Sequence, residues 1–330
     1  MNICAITMVY KDYWALSQWY AHYGRMLGFD NLYIVAHGAD AKVASICPRA
    51  TVITVPRETL EGFDRRRGQV LNSFADGLAV SFDWVIRTDA DELICYDPAL
   101  YTSLHAVLET ATAKSMFALG LNVAETLEDD VLAAGQMALG HRRTAVFSGH
   151  YSKAWVTKRG TGLWRHGIWV GPKRIETAVF DLPRGVYLMH LKYANIDALE
   201  TANQHRTDVG NMPGRGLPGA AWKEAEPDGG TVLCPIGGIS RRDMGGRARS
   251  RLCHDQRGSG ARHQRKRAAG EIDSVRAAGD LAGVGRHDVW RYLISEPSTL
   301  RVPVMAPLPC PVPVVGYPDT DRRMRGRRAG

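Results

Sequence analysis

The chain has no run of 18 or more apolar residues, and no basic segment leading into an apolar one near its start. Neither a membrane span nor a secretory leader is therefore expected. Cysteine is sparse and unpatterned: six residues (Cys4, Cys47, Cys95, Cys234, Cys253 and Cys310), with no C-x-x-C pair. That excludes a dense disulfide framework and a structural zinc site, and it fits a reducing, cytoplasmic setting. No glycine-rich loop follows the first apolar segment, where Met8-Val9-Tyr10-Lys11-Asp12 stands instead. A nucleotidyltransferase that cradles phosphate in such a loop is disfavoured. Excess basic charge is also missing from most of the chain. Residues 1–225 carry 23 Lys and Arg against 23 Asp and Glu, so the net +8 resides in residues 226–330. A neutral body gives no footprint for specific nucleic-acid recognition, and a basic tail offers only nonspecific attraction to phosphate.

Residues 1–225 alternate strand and helix signals. Asn2 to Val9 is short and apolar, and reads as a buried strand. Asp12 can cap a helix over Tyr13 to Leu27, whose Leu16, Trp19, Tyr20, Tyr23 and Leu27 recur at helical spacing until Gly28 stops it. The aromatic stripe reads as core packing. Leu32 to Ala36 and Thr51 to Val55 are further strands, and Phe63 to Leu78 is a helix leading to the strand Trp84 to Ile86. Such alternation predicts an α/β fold with a doubly wound, mainly parallel sheet, whose strand ends share one rim. Asp97-Pro98 reads as the start of another helix. Ser115 to Val123 reads as a strand, and Glu125 to Gln136 as a loop over the rim. Tyr151 to Thr157, Leu163 to Val170, Arg174 to Phe180 and Gly185 to Tyr193 then predict a strand-rich second half, followed by a helix over Ala194 to Val209.

From Glu226 the character changes. Gly and Pro make up 24 of 105 residues, against 26 of 225 before, and only 3 of the 27 aromatics fall there. Such a segment lacks the apolar surface to offset chain entropy, and low order is expected. Its composition matches both a basic tail and an out-of-frame read of GC-rich coding DNA. The expected organisation is thus 1–97, 98–225 and a low-order 226–330.

The stretch Trp84-Val85-Ile86-Arg87-Thr88-Asp89-Ala90-Asp91-Glu92 carries the chemistry. A buried strand ends abruptly in three carboxylates within four residues. In open α/β sheets ligands lie beyond the carboxyl ends of the strands. Acids so close repel unless neutralised, and their hard oxygens suit Mg²⁺ or Mn²⁺ bound together with substrate phosphates. Residues i and i+2, here Asp89 and Asp91, can aim at one cation. Glu92 either orients them or faces solvent.

With Met8–Asp12, the helix Tyr13–Leu27, the strand ending His37-Gly38-Ala39-Asp40 and Trp84–Glu92 together, the chain resembles bacterial family 2 glycosyltransferases of GT-A fold. Within them it is closest to the branch with D-x-D-E after a W-V strand. The resemblance spans about residues 1–222. It implies a nucleotide-binding half at 1–97, an acceptor-side half at 98–225, and transfer of a hexose from a nucleotide sugar (UDP-linked). The acceptor would be a glycan or lipid-linked sugar in surface polysaccharide synthesis, with peripheral membrane association in keeping. It further implies a divalent cation, Mn²⁺ or Mg²⁺, on Asp89 and Asp91, with His190 of the H-L-K-Y step completing the metal sphere. Asp40 would contact the nucleoside, and Arg67, in the arginine-rich helix start, the donor. Lys192, on the strand face of His190, would meet a phosphate. Ser148–Lys153 and Arg165-His166-Gly167 fall on the expected acceptor side. Inverting transfer needs a carboxylate base. Glu125 ranks first because it follows a predicted strand near the rim, ahead of Asp129, Asp130 and Glu176. An inactive paralogue and a nonspecific nucleic-acid binder remain as alternatives.

Overall fold

The computed structural model describes residues 1–58, 60–126, 128–163, 179–212 and 217, with the backbone of 301–303. Most of the expected strands Leu163–Val170 and Arg174–Phe180 lie outside these residues. So do Arg165-His166-Gly167, Glu176, the side chain of His150 and nearly all of 226–330.

The first half is built as its periodicity predicts. Strands β1 (Ile3–Val9), β2 (Leu32–His37), β3 (Thr51–Val55) and β4 (Trp84–Arg87) run parallel in the order β4-β1-β2-β3. Ala5 is level with Leu32 on one side and Ile86 on the other. Because side chains alternate along a strand, β1 feeds two cores. Ile3, Ala5 and Val9 pack with Leu16, Trp19 and Tyr23 of α1 (Tyr13–Leu27) and with Val43 and Ile46 of α2 (Ala41–Ile46). Cys4, Ile6 and Met8 pack on the opposite face with Leu71 and Ala75 of α3 (Phe63–Leu78). The sheet is therefore doubly wound. Asp12 and Asp40 cap α1 and α2 by accepting from the Ala15 and Lys42 amides at 3.4 and 3.0 Å.

Beyond β4 the sheet turns largely antiparallel. The remaining strands are β5 (Glu92–Tyr96), β6 (Ser115–Ala124), β7 (Thr144–Phe147), β8 (Lys153–Thr157), β9 (Val186–Tyr193) and a three-residue β10 (Arg301–Pro303) on the β7 edge. β8 lies between β4 and β6, antiparallel to both, while β9 joins β5 antiparallel and β6 parallel. The helices here are α4 (Leu104–Glu109), α5 (Ala138–His141) and α6 (Ile196–Gly210), the last capped by Asn195. Among the described residues no helix is long and apolar enough to cross a membrane.

Two boundaries differ from the sequence reading. The helix expected at Asp97-Pro98 starts at Leu104. Asp97 instead accepts its own Ala99 amide at 2.9 Å, a local turn that competes with helix, and Ser103 provides the cap. The strand expected from Tyr151 begins at Lys153, because Gly149–Tyr151 forms a 3-10 turn pressed on β6. Gly120 permits that approach: a Cβ there would lie 2.4 Å from the Tyr151 carbonyl carbon. Gly120→Ala is expected to destabilise by about 1–3 kcal/mol in urea denaturation. Gly77→Ala in α3, whose Cβ would enter open space, serves as the control and is expected to be neutral or to stabilise by up to about 1 kcal/mol.

Candidate metal centre

The turn from Thr88 to Asp91 joins β4 to β5 and is held from several sides. Trp19 Nε1 donates to Thr88 Oγ1 at 2.9 Å. Tyr23 Oη donates to the Glu92 carbonyl at 3.3 Å and accepts from the Ile94 amide at 3.0 Å. The α1 aromatic stripe therefore fixes the acidic turn as well as filling the core. The Leu191 amide donates to the Asp91 carbonyl at 2.7 Å, which anchors the turn to β9. Glu92 is fully buried, and its Oε2 accepts the Asp89 amide at 3.1 Å. Of the two expected roles for Glu92, orienting its neighbours is the one observed.

Strand register brings the remaining groups to the same level. Glu92 pairs with His190 across β5 and β9, and His190 with Asn122 across β9 and β6. His190 Nε2 lies 3.2 Å from Asp91 Oδ2, and ligand atoms of Asp91, Glu92 and His190 lie within 4.8 Å of one another. Two carboxylates and an imidazole are a donor set that fits Mn²⁺, and Mg²⁺ with more retained water. Asp89 faces elsewhere. Its Oδ1 receives Arg67 at 2.5 Å, and its Oδ2 lies 3.9 Å from Lys153 Nζ. The Glu92 amide closes the tight turn by donating to the Asp89 carbonyl at 3.1 Å.

Buried charge governs this cluster. Lys153 is only 3% exposed, and its Nζ lies 2.6 Å from Glu92 Oε1. Burial raises the Glu92 carboxyl against the pull of Lys153, and the charges of Asp89 and Asp91 raise it further. Burial also works to raise Asp91, but His190 and Arg206 hold it below the usual carboxylate range. Arg206 of α6 reaches to 4.0 Å from Asp91 Oδ2. Asp12, which the sequence marked only as a cap, belongs to the same field. Burial and then the charge of Asp91 push it up to about 6, opposed by Arg206 and His190.

The other expected residues are dispersed. Asp40 stays at the α2 cap and accepts from Tyr13 Oη at 2.8 Å. Along the same rim, Arg57 stacks 3.4 Å over the Tyr10 ring and pairs with His37 Nδ1 at 2.8 Å. Lys192 follows a register slip between His190 and Tyr193, so alternation no longer carries it to the face of His190; its Nζ sits 5.1 Å over Tyr193. Glu125 is buried, 3.0 Å from Arg142 Nη2, and accepts the Ile196 amide at the start of α6, also at 3.0 Å. It has the position of a structural anchor between β6 and α6. Asp129 caps its own loop at Thr126, and the Asp130 carbonyl holds Arg142. Lys153, Arg206, Asn122 and Asp12 were missed as site residues because only long-range pairing unites them. The one hint was Lys153 inside the polar cluster Ser148–Lys153.

No family model and no curated protein matches the sequence. Among solved structures, a 4-diphosphocytidyl-2C-methyl-D-erythritol synthase is 14% identical with a TM-score of 0.30, over 53% of this chain and 96% of that one. A CMP:2-keto-3-deoxy-manno-octonic acid synthetase bound to CTP is 14% identical with a TM-score of 0.26, over 72% and 87%. Mouse xyloside xylosyltransferase 1 is 12% identical with a TM-score of 0.22, over 38% and 53%. Overlaps this low decide nothing about chemistry.

Two outcomes test the electrostatics. Lys153→Met strands a buried carboxylate and is expected to cost about 3–5 kcal/mol in chemical denaturation, with Glu92→Gln added in the double variant recovering most of it. The second concerns Asp12. Its folded pKa lies above the unfolded value, so its own contribution to the stability of the metal-free protein is lost as pH rises from about 4 to about 6, while His22 and His37, held down to about 4 by burial, contribute in the opposite sense. Across that window the melting temperature of wild type should fall relative to that of Asp12→Asn, in which asparagine caps α1 equally well.

Proposed function

We propose that the chain is a metal-dependent glycosyltransferase that takes a sugar from a UDP-linked donor to a glycan or lipid-linked acceptor. The observation that carries this reading is the convergence of Asp91, Glu92 and His190 at the carboxyl end of a buried parallel strand. Strand ends of this kind are where open α/β sheets bind nucleotides.

In this reading Asp91 and His190 hold the cation, and Glu92, already engaged by Lys153 and the Asp89 amide, keeps the turn in shape. A bound divalent ion supplies Lewis-acid neutralisation of the departing diphosphate. Arg67 and Arg206 flank the acids and offer guanidinium donors to the same phosphates. Tyr10 and Arg57, at the ends of β1 and β3, form a flat aromatic and cationic surface suited to a nucleobase, with Asp40 nearby through Tyr13. Asp89 orients Arg67. Accepting the proton of the acceptor hydroxyl falls to Asp12 in preference to Glu125, since Glu125 is committed to Arg142 and α6 while Asp12 lies in the field of Asp91. Surface polysaccharide synthesis is the setting that the family 2 resemblance suggests.

Donor hydrolysis with a panel of nucleotide sugars, with and without Mn²⁺, tests the proposal on wild type and Asp91→Ala. Metal-dependent release of UDP that the substitution abolishes is expected. Tight nucleotide-sugar binding indifferent to both changes would overturn it.

A further inference from the structure

We infer that Asn122 is a positioning residue that selects the His190 tautomer and so makes Nε2 the ligating nitrogen. The inference rests on the cation reading above and deepens it. Asn122 lies on β6 directly across from His190 on β9, and both are buried, at 7% and 2% exposure. Asn122 Oδ1 is 2.7 Å from His190 Nδ1, while Nε2 on the far side of the ring is 3.2 Å from Asp91 Oδ2. The Tyr151 ring stacks on the imidazole with centroids 3.6 Å apart, which limits rotation of the ring out of this plane.

The geometry restricts where hydrogen can sit. An amide oxygen only accepts, so a contact with Nδ1 at 2.7 Å requires hydrogen on Nδ1. In the metal-free protein a hydrogen on Nε2 can bridge the ring to Asp91 Oδ2 3.2 Å away; with the other hydrogen fixed on Nδ1, its departure leaves the Nε2 lone pair facing the carboxylate. Two acceptors at that separation repel unless something positive lies between them. A cation shared by Nε2 and Asp91 removes the repulsion without moving either side chain. Asparagine is suited to the task because it orients the ring without adding charge. An aspartate there would add a further negative charge to a cluster that already holds Asp12, Asp89, Asp91 and Glu92. Leucine would leave the tautomer unselected.

The test uses the full chain and Mn²⁺ alone, followed by electron paramagnetic resonance, without any activity readout. Wild type is expected to bind Mn²⁺. Asn122→Leu should bind it about 10- to 100-fold more weakly with an unchanged circular dichroism spectrum, and Asn122→Asp should retain binding. In parallel, ¹⁵N-histidine spectra of wild type loaded with diamagnetic Zn²⁺, assigned against His190→Gln, should show Nδ1 protonated and Nε2 metallated. That spectrum needs no Asn122 variant and keeps the inference open to refutation even if Asn122→Leu fails to fold. Zn²⁺ on Nδ1, or Asn122→Leu folded and binding Mn²⁺ like wild type, overturns the inference and leaves the cation reading standing. Failure of wild type to bind Mn²⁺ overturns both.

Discussion

Three carboxylates within four residues at the tip of a buried strand cannot stay charged unless the protein brings positive groups to them. The contact that meets this demand is Lys153 on Glu92, an ion pair almost wholly removed from water. Burial makes it costly to break from either side, because the surviving partner would be an uncompensated interior charge. β8 carries Lys153 into the sheet between β4 and β6, so the topology of the second half and the electrostatics of the first are one problem. Reversing β8, or moving Lys153 by one residue, would leave Glu92 unmatched.

With Glu92 neutralised, the rest of the turn follows. Its Oε2 takes the Asp89 amide, which closes the turn and points Asp89 at Arg67 while Asp91 faces His190. The core of α1 reinforces this from behind through Trp19 and Tyr23, whose polar atoms reach Thr88, Glu92 and Ile94. Buried Trp and Tyr usually find partners for their polar atoms, and here the partners are the backbone and side chain of the acidic turn. Packing and site geometry are thus coupled through two side chains of one helix.

The sequence made legible whatever depends on local period. The order β1-α1-β2-β3-α3-β4 and the burial of Leu16, Trp19 and Tyr23 follow from spacings of two and 3.6 residues. The late strand of His190 was legible too, and so was its meeting with the acids once resemblance was allowed. Contacts that depend on which strands become neighbours were not legible. Lys153 reaches Glu92 only because β8 inserts beside β4, and Asn122 reaches His190 only because β6 and β9 run parallel in a particular register. Glu125 illustrates the same limit. Its place just after β6 is as expected, but the buried Arg142 that occupies it could not be paired with it from the sequence. The register slip before Tyr193 undid the alternation argument for Lys192, since nothing in Leu191-Lys192 marks a bulge.

Charge balance gives the final constraint on what this centre can hold. Asp12, Asp89, Asp91 and Glu92 face Arg67, Arg87, Lys153 and Arg206, four acids against four bases, with His190 beside Asp91. Burial pushes the Asp12 carboxyl up to about 6, and the charge of Asp91 adds to the push. A divalent ion bound alone leaves a surplus of positive charge. The surplus disappears when an anion arrives with the ion or after it, within reach of Arg67 and Arg206. A centre so balanced therefore holds a cation more tightly with an anionic group beside it than without one, which is the electrostatic condition that the proposed function requires.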